Sequence, residues 1–276
     1  MLTVIIPANN EAQYIGPCLS AVLASDAPEA MGVAVIVAAN GCSDATVQIA
    51  GTFADRFKSR GWNLSVLDIA RGNKIGALNA ADTATATGSA LIYLDADVIV
   101  SPPLLAQMAA VLRTDAPVYA GGTPLVTPPE SRLTTAYARL WLRLPFHDSG
   151  APGFGLFGVN VAGRARWGAF PDLISDDTFV RLQFRPEERV QVPATYRWPM
   201  VEGFRRLVRV RRRQDIGVAE IATRYPELLA NEGKAPTPRF WPLFRADPVG
   251  FAVYTSVAVM VRISRLWAGN EWVRGR

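Results

Sequence analysis

The chain has 276 residues, half of them apolar, with a net charge of +5 and a pI of about 9.5. This composition excludes a generally disordered chain and supports a core for one large domain, or for one domain with an appendage. The basic balance favours acidic partners such as nucleic acid, anionic lipid or nucleotide phosphates, while the two cysteines, Cys18 and Cys42, lack metal-ligand spacing and build no disulfide framework.

Met1 to Pro7 has neither the basic flank nor the apolar length of a signal peptide, so the active part of the protein is expected in the cytoplasm. Val4-Ile5-Ile6 predicts a short strand ended by Pro7. Glu11 to Ala24 carries helical spacing at Ile15, Leu19, Val22 and Leu23. The β-branched run Val33 to Val37 predicts a second strand, followed by a turn and a helix across Ala45 to Phe57. Leu64 to Ile69 reads as a third strand, with a helix from Lys74 to Ala86. Leu91 to Leu94 is a fourth strand, apolar enough to be buried on both faces. Strands alternating with helices imply an α/β domain with a largely parallel sheet.

Beyond Val100, Pro102-Pro103 opens a helix through Leu112, Val118 to Gly122 predicts a strand, and Ser131 to Leu144 a helix. Gly150 to Gly163 is rich in glycine and holds Phe154 and Phe157. Ser175 opens another helix, and the prolines and aromatics of Pro236 to Pro248 read as a linker.

Each of the four predicted strands runs into a polar cluster. These are Asn9-Asn10-Glu11, Asn40-Gly41-Cys42-Ser43-Asp44, Arg71-Gly72-Asn73-Lys74 and Asp95-Ala96-Asp97. Ligands of open parallel sheets bind at the carboxyl ends of the strands, so all four clusters would line one edge. Two carboxylates two residues apart suit a hard divalent cation that shares its shell with phosphate oxygens; an acidic turn capping the next helix is the plainer alternative. Arg71 and Lys74 stand just before a helix N-terminus, which favours anions. Ser43 or Asp44 serves equally as a helix cap.

Taken in order and spacing, these segments resemble family 2 glycosyltransferases of the GT-A fold, over roughly Met1 to Gly217. Val4 to Glu11 resembles the family's opening strand and its Asn-Glu turn at the nucleotide. Asn40 to Thr46 resembles its Asp-Asp-Gly-Ser-x-Asp-x-Thr segment, Gly72 to Asn79 its Gly-Lys-x-x-Ala-Leu-Asn segment, and Leu94 to Asp97 its Asp-x-Asp motif. The resemblance implies a Rossmann-like α/β domain over residues 1–230, with a mostly parallel central sheet flanked by helices. It implies a nucleotide-diphosphate sugar as donor, held by Pro7, Asn9, Glu11, Asn40, Asp44, Arg71, Lys74 and Asp95, with Mn2+ or Mg2+ on Asp95 and Asp97. Ala39 departs from the pattern by standing where the family often has an aspartate that reads the nucleobase, which would pass base recognition to Asn40 or Glu11.

Ser175-Asp176-Asp177-Thr178 resembles the family's Glu-Asp motif, which implies Asp177 as general base and Asp176 as the acid that orients it, in an inverting transfer to an acceptor hydroxyl. The same three residues also suit a helix N-terminus. Gly153 to Asn160 lies where the family places its acceptor, be it a saccharide, a lipid or a lipid-linked sugar. The only histidine, His147, precedes the base segment and is read as a loop or acceptor-side residue, not a metal ligand. The run from Arg205 to Arg213 resembles the family's arginine segment, in which Arg209 and Arg212 would close over the diphosphate; attraction to anionic headgroups is its second reading.

Residues 231–276 read as the linker and an amphipathic, apolar helix. Val249 to Val261 falls short of the roughly 20 residues that cross a bilayer. Trp241, Phe244, Trp267 and Trp272, with nearby arginines, suit a peripheral position on the cytoplasmic face of a membrane; core packing and a homodimer contact are the alternatives. A metal-dependent sugar-phosphate nucleotidyltransferase would carry a glycine-rich basic loop after its first strand, unlike Pro7 to Asn10. A non-enzymatic nucleic-acid-binding protein would not converge acids with bases at strand ends, so no nucleic-acid partner is expected.

Overall fold

The computed structural model describes residues 1–145, 151–233 and 237–267. The first half runs β1 (Leu2–Ala8), α1 (Ile15–Leu23), β2 (Val33–Asn40), α2 (Thr46–Gly51), α3 (Ala54–Ser59), β3 (Asn63–Ile69), α4 (Lys74–Ala84) and β4 (Ala90–Leu94). These four strands pair in parallel in the order β3-β2-β1-β4, with Leu2 of β1 opposite Val33 and Ala90. Side chains alternate across the sheet, which splits β1 between two layers. Val4 and Ile6 join Ile15, Leu19 and Val22 of α1 in one buried cluster. Ile5 points the other way, to Ile75 and Leu78 of α4. Both faces are covered, as a parallel sheet requires.

The second half continues through β5 (Ile99–Val100), α5 (Leu104–Leu112), β6 (Tyr119–Val126), α6 (Arg132–Trp141), β7 (Leu156–Val159), α7 (Val161–Arg164), α8 (Asp176–Arg181) and β8 (Arg189–Trp198). It extends the sheet in the order β4-β7-β6-β8-β5, with β7 antiparallel to both neighbours and β6 parallel to β8. The glycine-rich segment therefore contains a strand, β7, which the sequence pattern does not announce.

Several element ends differ from expectation. Helix α1 starts at Ile15 instead of Glu11, because Asn10 takes a left-handed backbone (φ 56°) and the Glu11 carbonyl is used by the amides of Tyr14 and Ile15. The helix expected over 45–57 is two short helices. They part at Thr52, whose amide is shared between the Gln48 and Ile49 carbonyls.

Last come α9 (Phe204–Arg224), a 3-10 helix over Pro226–Asn231, α10 (Phe240–Ala246) and α11 (Pro248–Trp267). The segment read as a linker thus contains α10. Its junction with α11 is fixed by Asp247, which accepts from the Gly250 amide at 2.8 Å and pairs with Arg139 of α6 at 3.0 Å. Val257 and Val261 of α11 are buried with Tyr137 and Ala138 of α6 and Leu207 of α9, so this helix closes a third hydrophobic cluster against the body.

Candidate active site

The carboxyl ends of β1, β2 and β3 are tied together by one amide. Asn40 is 3% exposed; its Nδ2 donates to the carbonyls of Ala8 (2.9 Å) and Ala38 (3.1 Å), and its Oδ1 accepts from the Asn73 amide at 3.1 Å. Asn9 adds a second tie, donating to the carbonyls of Asn40 and Gly41. Gly41 lies so close to the β3 loop that a Cβ there would sit 2.5 Å from the Gly72 amide nitrogen, and its φ of 55° also favours glycine. Asp44 accepts from the Ala12 and Thr46 amides, each at 3.0 Å, and from the Thr46 hydroxyl, while the Glu11 amide donates to that hydroxyl at 2.8 Å. Desolvation opposes the Asp44 charge, but these donors hold its pKa below the ordinary carboxylate value.

At the end of β4 three carboxylates meet one ammonium. Asn73 caps α4 by accepting from the Ile75 amide at 3.0 Å, which sets Lys74 at the first helical position. From there Lys74 Nζ reaches Asp95 Oδ1 at 3.4 Å and Asp176 Oδ2 at 3.2 Å. Burial works against the Lys74 charge, but Asp176, Asp95 and Asp177 outweigh it and raise its pKa. Asp177 is the opposite case: burial, with Asp176 beside it, lifts its pKa well above the carboxylate range, although Lys74 and the Thr178 amide (2.7 Å) pull it down. Pro7, Lys74, Asp95, Gly153, Asp176 and Asp177 line one small cleft.

The loop that leads into the two acids at the start of α8 rests on α9. Gly217 packs so tightly that a Cβ would lie 2.1 Å from Ser175 Oγ, and Glu220 accepts from the Ile174 amide at 3.0 Å. On the other side of the cleft Trp141, Phe154 and Trp198 form an aromatic cluster, with ring centroids 5.1 to 5.6 Å apart. Gly155 joins the cluster to the acids, since a Cβ there would meet Trp198 at 3.1 Å and Asp95 Oδ2 at 3.3 Å. Gly217, Glu220, Trp141 and Trp198 were not singled out from the sequence. A tryptophan ending an alternating run, Val192, Ala194, Tyr196, Trp198, was the available signal for the last of them.

The structure therefore brings Pro7, Lys74, Asp95, Asp176 and Asp177 to one cleft, with Asn9, Glu11 and Asp44 in the adjoining β1–β2 loops. Arg71 is exposed at the end of β3, and Asp97 lies in the turn that follows Asp95, closed by the Val98 amide on the Asp95 carbonyl, partly buried and outside the lining of the small cleft. Asn40 is turned inward with its amide engaged on both atoms, which ties the loops at this edge together. Arg209 and Arg212 lie on α9, in the helix whose later residue Gly217 packs on Ser175. His147 and Trp272 lie outside the described residues.

Among the described residues no three His, Cys, Asp or Glu side chains converge as a complete cation cage. Mg2+-type ions do not need one, because one or two carboxylates suffice when phosphate oxygens and water fill the shell. The donor set fits that kind of site: Asp95 and Asp97 offer oxygens only, and the Lys74 ammonium between Asp95 and Asp176 marks a position where positive charge is stabilised.

A model of the family described as glycosyl transferase family 2 matches residues 3–165, a span with all four strand-end loops that ends before Asp176. Among solved structures the chain is similar to the mannosyltransferase PcManGT from Pyrobaculum calidifontis in complex with GDP-Man and Mn2+. Identity there is 19% and the TM-score 0.59, over 97% of this chain and 76% of that one. It is also similar to residues 1–349 of S. aureus TarS in complex with UDP (15%, 0.54, covering 79% and 65%). A third is glucosyl-3-phosphoglycerate synthase from Mycobacterium tuberculosis in complex with Mn2+, UDP and glucosyl-3-phosphoglycerate (17%, 0.52, covering 81% and 79%). At these identities the likeness shows a shared fold. A search of curated protein sequences finds no match.

Proposed function

The chain belongs to glycosyl transferase family 2, and from that premise we propose that it transfers a sugar, with inversion, from a nucleotide-diphosphate donor to an acceptor hydroxyl. One observation carries the reading: Lys74 joins the carboxylate at the end of β4 to the acidic first turn of α8, so donor edge and acids share one cleft. The donor's diphosphate lies at Lys74 and Asp95, with its nucleoside along the β1–β3 loops. Ala39 is buried and Asn40 is engaged, which leaves Glu11 and Arg71 at the rim for the base. Asp95 and Asp97 would hold a divalent cation, Mn2+ or Mg2+, which would supply Lewis-acid neutralisation of charge on the diphosphate.

Asp177 takes the proton of the acceptor hydroxyl as that oxygen bonds to C1 of the sugar. The bond from C1 to the diphosphate oxygen breaks, its electron pair leaves with the nucleoside diphosphate, and attack from the opposite face inverts C1. Burial and the Asp176 charge give Asp177 a proton affinity suited to a general base. The cluster of Trp141, Phe154 and Trp198 flanks Asp95 and offers stacking faces to a saccharide or an apolar surface to a lipid or lipid-linked acceptor. Residues 1–230 would form the catalytic domain, with 231–276 as an appended helical segment.

The test is thermal shift against a panel of nucleoside diphosphates with and without Mn2+. One nucleotide is expected to stabilise the protein selectively, by about 2.7 kcal/mol at a hundredfold excess over its Kd, with a metal-dependent part that Asp97→Asn removes. No shift with any nucleotide, alongside salt-sensitive DNA binding, overturns the reading. Retention at C1 in the product, read from its proton NMR couplings, overturns the inverting mechanism.

A further inference from the structure

Helix α11 is apolar on two opposite sides. Val253, Val257 and Val261 face the third cluster. Val249, Ala252, Val259, Met260 and Ile263 lie in the open on the other side, at helical spacing, with the small hydroxyls of Thr255 and Ser256 among them. Helix α10 continues this open face with Phe240, Trp241 and Phe244, which are 58%, 66% and 41% exposed. Phe240 and Phe244 both set their edges against Phe251 of α11, at 6.4 and 5.6 Å between centroids, so the two helices carry their apolar sides as one surface.

The charge on this surface has one sign. Between residues 237 and 263 the ionisable cations are Arg239, Arg245 and Arg262, all exposed. The only acid in that span is Asp247, which is buried and paired with Arg139. An apolar and aromatic face with cations and no exposed acid complements the headgroups and outer acyl region of an anionic bilayer. A second copy fits less well, because a two-fold contact would set arginine against arginine with nothing on the face to neutralise them.

We propose that the α10–α11 face docks on an anionic lipid bilayer, lying in the interface without crossing it. Among the described residues no helix is long and apolar enough to cross. The proposal is independent of the transfer chemistry, since none of these residues lines the cleft.

The full chain is mixed with vesicles of phosphatidylcholine alone, or of phosphatidylcholine with phosphatidylglycerol, and recovered by flotation at low and high salt. Binding is expected only with phosphatidylglycerol, and weaker at high salt. The pair Arg239→Gln and Arg245→Gln is expected to lower partitioning about thirtyfold, at roughly fivefold per charge. The pair Trp241→Ser and Phe244→Ser is expected to lower it about as far. All four side chains are exposed, so thermal melts should match the parent; were the aromatic pair to unfold, the arginine pair decides alone. Failure of the parent to float with phosphatidylglycerol, or variants that float like it, overturns the proposal. So does a dimer in light scattering that these substitutions dissolve, which would make a second copy the occupant.

Discussion

At Asp177 burial and the neighbouring Asp176 charge push the pKa up to about 6, with Lys74 acting in the other direction. A general base must be ionised, and kcat/KM against pH reports ionisation in the free enzyme. The acidic limb of that profile is therefore expected near pH 6, with the rate falling as pH drops through it. Asp176→Asn removes a like charge, lowers the Asp177 pKa and should move the limb to lower pH; an unmoved limb rejects the assignment. Stability runs in the opposite sense. A carboxyl whose folded pKa is raised stabilises the fold at acid pH, and that contribution is lost as pH rises through about 6. Asp177→Asn should lower kcat by about 10² to 10⁴ and leave the nucleotide-induced thermal shift intact. These acids were legible in the sequence because carboxylates in a polar cluster stand out by type. The inward turn of Asn40 was not, because an amide at a strand end reads alike whether it faces a ligand or its own backbone.

Elements were legible where one force set them. The strands β1 to β4 are short apolar runs buried on both faces, and their pattern survives without knowledge of neighbours. Strand β8 was missed although Val190, Val192, Ala194, Tyr196 and Trp198 alternate along it, because Pro193 in its middle argues against a strand. The ladder accommodates that proline: its register with β6 shifts between Gly121 and Thr123, opposite residues 191 to 195. Helix α9 was visible only as a run of arginines, yet its inner side positions the loop that leads into the two acids of α8. Gly217→Val should force α9 away from Ser175, lowering kcat at least about tenfold and destabilising the protein by about 1–3 kcal/mol, as overpacking does. Even Gly217→Ala should lower kcat, despite the roughly 1 kcal/mol by which alanine favours an exposed helix. Unchanged turnover in both variants, with nucleotide binding intact, would remove α9 from the catalytic account.

For the molecule as a whole, two layers cover the parallel half of the sheet, and a third cluster binds α6, α9 and α11 beside the aromatic wall of the cleft. The sequence announced an apolar tail without saying what it touches, since α11 is apolar on both its buried and its open side. Only tertiary contacts distinguish the two. The tie made by Asn40 extends this logic to the donor edge. One side chain spans the ends of β1 and β2 and the start of α4, so the loops there share a single cooperative opening and do not fray separately. The Asn73 amide, in spite of its place in a surface loop, should exchange with deuterium as slowly as the sheet. Warming should accordingly extinguish nucleotide binding only when the sheet itself melts, with no milder interval in which the scaffold persists and its binding edge is already lost.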